Sequence, residues 1–406
     1  MTTIPVSIFE FDNTYARAVE ELSTEWSATN APEPEIIVFN ETLAEELGVD
    51  PDVLQSEAGV ALLAGNAELA DPRPTAQVYA GHQFGGYSAQ LGDGRALLLG
   101  EVIDADGERR DIQLKGSGRT PFSRGGDGKA ALGPMLREFL VAEAMAVLGV
   151  PTTRALAVVA TGEKIARTGM EEGAVLTRVA ASHLRVGTFE YAARLRDKSV
   201  LKQLADYAIE RHHPHAADAA EPYVALLDAV VEAQAQLIAK WMLVGFVHGV
   251  MNTDNMTISG EGIDYGPCAF IDQFDPAAVF SSIDHAGRYA FGNQPSIAVW
   301  NLSRLAESLL PLIDTGDSDA AVALVRVPLE SFMPRFQQYY DDGMRAKLGL
   351  TTPPPATASC SRRGLACCTA SQVDYTNSFR GLARWIQGDQ EALQSPSVTM
   401  TCWLLD

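Results

Sequence analysis

The first half of the chain alternates short apolar segments with loops that are dense in glycine. Ala96–Val102 and Arg110–Lys115 have the hydrophobic patterns of strands, and strand-like segments follow at Arg154–Ala160 and Ala174–Ala180. Between these two pairs, apolar residues at helical spacing predict a helix over Pro134–Leu148. This half of the chain is therefore predicted to be rich in β-structure.

After about Ser182 the hydrophobic pattern changes to the longer period of helices. We predict helices over Phe189–Arg196, Val200–Arg211, Pro222–Val244 and Ala298–Leu310. Strands that precede helices, without βαβ alternation, are typical of the α+β class. The predicted architecture is bilobal, with a β-rich N-lobe and a helical C-lobe.

The predicted domain boundaries follow from these changes in the hydrophobic pattern. We predict an N-terminal extension over residues 1–78, an N-lobe over 79–181, a helical C-lobe over 182–350 and an atypical C-terminal tail over 351–406. Within the extension, Asn40 is predicted to cap a short helix.

The tail begins with a low-complexity stretch, residues 351–371, that lacks periodicity and is predicted to be a linker. A divergent or frameshifted end is the alternative, because cysteine and arginine become abruptly frequent there. Residues 373–385 are predicted to form an amphipathic helix.

The charge balance excludes several classes of partner. The chain has 31 Lys and Arg against 52 Asp and Glu, a formal net charge of −21. Such a surface repels the phosphates of nucleic acids and anionic lipids, so neither is expected as a partner. No apolar segment approaches the ~18 residues of a membrane span, and the N-terminus lacks the apolar region of a signal peptide. Cys268 is alone in most of the chain, so we expect a reduced, cytoplasmic protein.

Two features of the N-lobe point to phosphate binding. The loop Gly92-Asp93-Gly94-Arg95 can bring backbone N–H groups and a guanidinium to an anion, although a plain hairpin turn is the alternative. Lys115 ends a predicted strand and Glu138 lies on the following helix, an arrangement that in kinases holds a lysine against nucleotide phosphates. Glu143 is the alternative partner of the lysine, and a solvated pair of Glu138 with a nearby arginine is the other alternative.

Two features of the C-lobe point to a metal-assisted transfer reaction. Asp254 and Asn255 follow a predicted helix, where they can cap a turn or supply a base and a metal ligand. Asp264-Tyr265-Gly266 resembles the metal-binding Asp-Phe-Gly turn of kinases, and oxygen ligands from Asn255 and Asp264 suit Mg²⁺. Kinases separate the two catalytic-loop residues by about four positions, whereas here they are adjacent.

Four long segments together strongly resemble the selenoprotein O family. They are YAGHQFGGYSAQLGDGRA (79–96), QLKGSGRTPFSRGGDGKAALGPMLREF (113–139), TRVAASHLRVGTFE (177–190) and HGVMNTDNMTISGEGIDYGPCAF (248–270). The resemblance covers about residues 32–349. It implies a protein-kinase-like fold that binds ATP in a flipped orientation and transfers AMP to Ser, Thr or Tyr hydroxyls of proteins.

The resemblance also implies roles for individual residues. Asp254 would accept a proton, and Asn255 and Asp264 would hold Mg²⁺, with Mn²⁺ as the alternative ion. The resemblance implies an ATP site that is formed by Gly92, Gly94, Arg95, Lys115, Glu138, Asp127, Gly128, Arg178, Arg185 and Asp264. Within this site, Glu138 would hold Lys115. If the polyphosphate points inward, the extra arginines are needed where a kinase seats adenine.

Three functions compete at this stage. The first is a protein adenylyltransferase, with UTP as an alternative nucleotide. The second is a conventional kinase that transfers the γ-phosphoryl group, and the third is a catalytically silent nucleotide-binding scaffold. The complete set of Lys115, Asp254, Asn255 and Asp264 disfavours the scaffold, and the arginines favour the adenylyltransferase.

Overall fold

An antiparallel sheet occupies the first half of the chain. The structure is a computed structural model that describes residues 8–69, 73–313, 316–350, 356–389 and 391–392. Its strands are β1 (Ser23–Glu25), β2 (Glu35–Phe39), β3 (Thr75–Gln77), β4 (Gly81–Gln83), β5 (Gly86–Ser88), β6 (Ala96–Ile103), β7 (Arg109–Lys115), β8 (Ala130–Ala131), β9 (Arg154–Ala166), β10 (Met170–Ala180), β11 (Phe246–Val247) and β12 (Ala269–Phe270). The last two pair with each other in a separate two-stranded sheet.

Helices dominate the second half. The helices of both halves are α1 (Thr14–Ala18), α2 (Glu41–Glu46), α3 (Pro51–Gln55), α4 (Glu57–Ala64), α5 (Leu132–Val147), α6 (Val186–Arg194), α7 (Lys198–His212), α8 (Pro222–Val244), α9 (Gln294–Leu309), α10 (Ser318–Lys347), α11 (Ala356–Ser371) and α12 (Tyr375–Ile386). Among the described residues, no helix is long and apolar enough to cross a membrane.

The strand order brings distant parts of the chain together in one sheet. The order is β1-β3-β6-β7-β10-β9-β2, with β8 paired to β10, and β4 and β5 form a separate hairpin. Strands of the N-terminal 78 residues thus lie at both edges of the sheet. At its centre β7 and β10 are antiparallel, so that Arg178 lies opposite Gln113 and Leu176 opposite Lys115.

Apolar residues cover both faces of the sheet. On one face, Leu54 and Leu63 from the short N-terminal helices belong to a core that includes Leu114 of β7. On the other face, Met135 and Phe139 of α5 belong to a larger core that continues into the helical half. Because α5 packs on the sheet, its Glu138 side chain reaches Lys115 at the end of β7 and Arg178 of β10.

The expected α+β class is confirmed, since antiparallel strands precede a helical half. The predicted cap at Asn40 is present, where its side-chain oxygen accepts a hydrogen bond from the Leu43 N–H at 3.1 Å. The predicted helix over Pro222–Val244 has the observed bounds of α8. The bilobal division and its boundaries stay predictions.

The prediction of a linker over residues 351–371 is wrong, because most of this stretch forms α11. The following segment is joined to the body of the protein. The Tyr375 N–H donates to the carbonyl of Asp272 at 2.6 Å, and the Tyr375 ring stacks on Phe274 with 5.4 Å between ring centroids. Tyr375 is fully buried. Contacts with distant residues, which periodicity does not record, hold this segment in place.

A carboxylate joins the end of β10 to the loop before Asp264. Glu261 Oε2 accepts hydrogen bonds from the Ala181 N–H at 3.0 Å and the Ser259 hydroxyl at 3.1 Å. Burial raises the pKa of Glu261 to about 7, despite these hydrogen bonds. The protonated form is therefore favoured in the folded state, and the protein loses stability as pH rises from the pKa of an unfolded glutamate to about 7.

The substitution Glu261→Gln is expected to remove the loss of stability that accompanies the rise in pH. Its stability relative to wild type should increase by about 1–2 kcal/mol between about pH 5 and pH 8, because glutamine has no charge to bury. Urea unfolding of both proteins at the two pH values measures the difference. A difference that is constant with pH would show that Glu261 ionises as it does in water.

Candidate active site

A cleft of about 860 Å³ runs between the glycine-rich loops of the sheet and the loops that follow α8. Apart from Glu138, which lies buried behind Lys115, the predicted site residues line it: Gly92, Gly94, Arg95, Lys115, Asp127, Gly128, Arg178, Arg185, Asp254, Asn255 and Asp264. The fold therefore brings together residues that are spread over much of the chain.

Lys115 links the sheet to α5 and to the Asp264 turn. Its ammonium group donates to Glu138 Oε2 at 2.6 Å and to Asp264 Oδ1 at 2.5 Å. The alternative partner, Glu143, instead forms an ion pair with Arg154 at 2.8 Å. A lysine at the end of β7 meets a helical glutamate here because α5 packs on the sheet.

Arg178 and Arg185 converge on the same carboxylate. Arg178 donates from one guanidinium nitrogen to Asp264 Oδ1 at 2.7 Å and to Glu138. Arg185 donates to Asp264 Oδ2 at 3.1 Å and to the backbone carbonyl of Asp254 at 2.8 Å. Both arginines are almost fully buried. Three cationic side chains thus surround Asp264 at the floor of the cleft.

The charges of this cluster determine its protonation. Burial alone would raise the pKa of Asp264, but Lys115, Arg178 and Arg185 hold it well below its ordinary value. Arg178 and Lys115 likewise outweigh burial at Glu138 and lower its pKa. Both carboxylates are therefore ionised at neutral pH, and the lysine and arginines find counter-charges within the protein.

Asp264 also has an unusual backbone conformation. Its φ is +63°, in the left-handed region that favours glycine. Residues other than glycine persist in this region only where their surroundings over-determine the conformation, and such residues cluster at functional sites. Here the three cations hold the side chain.

Asp254 lies in a short 3₁₀ turn, Thr253–Asn255, and is mostly buried. Its Oδ2 atom accepts a hydrogen bond from the Gln83 amide at 2.9 Å, whereas Oδ1 has no hydrogen-bond partner among the described residues. A Cβ atom at Gly81 would lie 2.5 Å from Oδ1, so only glycine allows this approach. Burial raises the pKa of Asp254 to about 6, which suits a group that accepts a proton near neutral pH.

The residues expected to hold Mg²⁺ suit that ion. The Asn255 amide donates its N–H to the carbonyl of Val250 at 3.0 Å, so its own carbonyl oxygen is left as a ligand. The Asp264 carboxylate lines the same cleft. Mg²⁺ usually takes one or two carboxylates together with phosphate oxygens and water. The Asn255 carbonyl oxygen and the Asp264 carboxylate are protein ligands of this type.

The second glycine-rich loop lies at the mouth of the cleft. Asp127 receives two hydrogen bonds from Arg167, at 2.8 and 3.0 Å, and one from the Lys129 N–H at 3.0 Å. Its carboxylate therefore shapes the loop. Gly128 has φ +69°, and a Cβ there would lie 2.0 Å from the carbonyl oxygen of Gly118. Glycine is required at this position.

Two further polar residues, Asp93 and Gln83, line the cleft and were not among the predicted site residues. Asp93, between the two glycines of the first loop, is buried, and its carboxylate lies 3.9 Å from Arg185. Gln83 contacts Asp254 across 171 positions of sequence. Asp93 could have been selected for its place within the glycine motif. No local pattern marks Gln83, whose role depends on a contact between distant segments.

Comparison with known proteins adds independent information. The model of the family described as Protein adenylyltransferase SelO matches residues 5–401. Curated relatives called Protein nucleotidyltransferase YdiU are 56% identical to the chain. The one from Mycobacterium sp. (strain KMS) aligns over 97% of this chain and 82% of its own length, and that from Mycolicibacterium smegmatis over 96% and 81%. The match to residue 401 extends the similarity beyond residue 349, where the resemblance inferred from the sequence ends.

Proposed function

Because the chain belongs to the SelO family of protein adenylyltransferases, we propose that it transfers AMP from ATP to serine, threonine or tyrosine hydroxyls of protein substrates. The observation that carries this proposal is the convergence of Lys115, Arg178 and Arg185 on Asp264 at the floor of the cleft. Cations at that depth suit the phosphates of a nucleotide better than a purine ring.

The position of the arginines supports a flipped nucleotide. With the polyphosphate directed inward, Lys115, Arg178 and Arg185 exchange some of their contacts with Asp264 for contacts with phosphate oxygens. Asn255 and Asp264 would hold Mg²⁺, or Mn²⁺ as the alternative ion, which would neutralise charge on the phosphates. The fold supports the same proposal, because a kinase-like bilobal architecture likewise places the lysine–glutamate pair on a sheet and an adjacent helix.

Asp254 acts as the general base. It accepts the proton of the acceptor hydroxyl while that oxygen forms a bond to the α-phosphorus. The bond from the α-phosphorus to the oxygen that bridges to the β-phosphorus breaks, and pyrophosphate leaves with that oxygen. Burial of Asp254, which raises its pKa to about 6, strengthens it as a base while leaving it mostly ionised at neutral pH.

ATP labelled in parallel at the α- and γ-phosphorus tests the reaction. An adenylyltransferase transfers the α-label to protein and releases the γ-label in pyrophosphate. A kinase, the second candidate, transfers the γ-label only, and a silent scaffold transfers neither. Transfer of the γ-label alone would overturn the proposal.

Arg185→Ala is expected to weaken ATP binding by about ten-fold or more, because a phosphate in a dry site loses a charge-assisted hydrogen bond. Arg178→Ala should act similarly. Adenosine has no phosphates and should bind both variants as it binds wild type. Calorimetric titration with the two ligands measures the difference, with the surface variant Arg326→Ala as the control. Unchanged ATP affinity in both variants would exclude phosphate contacts from these arginines.

A further inference from the structure

The β4–β5 hairpin forms one wall of the cleft beside the general base. Gln83 contacts Asp254 directly, and the next residue, Phe84, has φ +52°. The Phe84 N–H donates to Asn252 Oδ1 at 3.2 Å and to the Tyr289 hydroxyl at 3.0 Å, which holds this strained conformation. The tip of the hairpin is therefore fixed where an acceptor hydroxyl has to approach Asp254.

A row of rings and arginines continues outward from this tip. His82 lies 4.7 Å from Tyr87 and 5.1 Å from Trp300, between ring centroids. The Arg194 guanidinium lies over the Tyr87 ring at 4.9 Å, and the Arg288 guanidinium lies over the Trp300 ring at 4.6 Å. We call these five residues the hairpin face.

Arg288 approaches the turn of the hairpin that carries Gln83. Its guanidinium lies 3.7 Å from the position of a Cβ at Gly85, in the turn that follows Gln83 and Phe84. Arg288 also lies over the ring of Tyr289, whose hydroxyl donates to Asn252 at 2.6 Å. A ligand bound by this guanidinium would thus lie beside the entrance to Asp254.

The two arginines of the hairpin face form no ion pair with the described residues. Neither Arg194 nor Arg288 has a carboxylate of these residues at ion-pair distance. Arg304 provides an internal comparison, because it also lies over Trp300, at 5.0 Å, yet forms an ion pair with Glu307 at 2.7 Å. In a chain with 52 acidic and 31 basic residues, uncompensated arginines beside an active site suit a carboxylate from another molecule.

We propose that the hairpin face selects acceptor proteins in which an aspartate or glutamate lies close to the modified hydroxyl, with Arg288 as the specificity-determining residue. The inference rests on the proposed function and names its substrate class. Gln83, Phe84 and Ile283 line the same cleft as Asp254, so an acceptor bound at Asp254 lies beside them. Ile283 is 64% exposed and offers an apolar contact to the same segment.

The net charge of the protein opposes a preference for acidic acceptors, so this preference has to arise at the site itself. A protein of charge −21 repels acidic segments at long range, so its overall field opposes the preference. Selection of acidic acceptors therefore has to come from local arginines. It should weaken with added salt, since ions screen exposed charges beyond about 10 Å at 0.1 M ionic strength.

Synthetic peptides test the inference. Each carries a central Ser, Thr or Tyr flanked by Glu, Gln or Lys, and transfer of AMP is measured with α-labelled ATP. For wild type we expect kcat/KM to be about ten-fold higher with Glu than with Lys flanks. Arg288→Glu should reverse this order, while Arg304→Glu, which changes an arginine on the same ring, should retain it. Equal kcat/KM for the three flanks in wild type would overturn the inference.

Two further measurements separate this inference from the proposed function. Fluorescence polarisation with peptides that carry alanine in place of the hydroxyl residue gives affinities without turnover, and equal affinities for Glu and Lys flanks would also overturn the inference. Calorimetry should show the same ATP affinity for Arg288→Glu and wild type. Transfer of the γ-label alone would refute the proposed function, whatever the peptide preference.

Discussion

Replacing Asp264 with alanine is expected to lower AMP transfer by about a thousand-fold or more and to destabilise the protein. The substitution removes a carboxylate that interacts with Lys115, Arg178 and Arg185 at once. The metal ion that would neutralise the nucleotide phosphates loses a ligand. The three cations also lose a shared counter-charge, at a cost of about 2–3 kcal/mol for a partly exposed group.

Thermal unfolding with and without Mg²⁺–ATP measures the second effect. ATP should raise the melting temperature of Asp264→Ala by less than that of wild type, because its binding depends on this carboxylate. Asp264→Asn keeps the shape and should lose transfer with a smaller loss of stability. Asp106→Ala, a change of an exposed aspartate, serves as the control. Wild-type transfer by Asp264→Ala with Mg²⁺ would refute the assignment of this residue as a metal ligand.

Asp254→Asn is expected to lower turnover by about 10²–10⁴-fold while ATP affinity stays within about two-fold of wild type. Asparagine keeps the shape of the side chain and can still accept the hydrogen bond from Gln83, but it cannot take a proton from the acceptor. Single-turnover transfer with α-labelled ATP, beside calorimetry with ATP, measures the two effects separately. Asp106→Asn should change neither quantity. Turnover within about three-fold of wild type would show that another group is the base.

The principal strands and several helices of the fold could be predicted from local sequence, with differences of a few residues at their ends. β7 and α8 agree with the prediction to within one residue, because strand alternation and helical periodicity are recorded in neighbouring positions. The 30-residue helix α10 was missed, since it contains Pro328 and Pro334 and begins beside a cluster of aspartates. In such segments tertiary packing outweighs local propensity.

The sequence by itself determined the α+β class, the family and the chemical groups of the candidate site, because each depends on residue type, spacing or a contiguous motif. Only the tertiary structure decided how those groups meet. The pairing of β7 with β10 and the packing of α5 bring Lys115, Arg178 and Glu138 together, and the left-handed turn at Asp264 completes the cluster. The contact of Gln83 with Asp254 likewise depends on the tertiary structure. Contacts between segments so far apart along the chain arise from the burial of shared apolar faces, which no local pattern encodes.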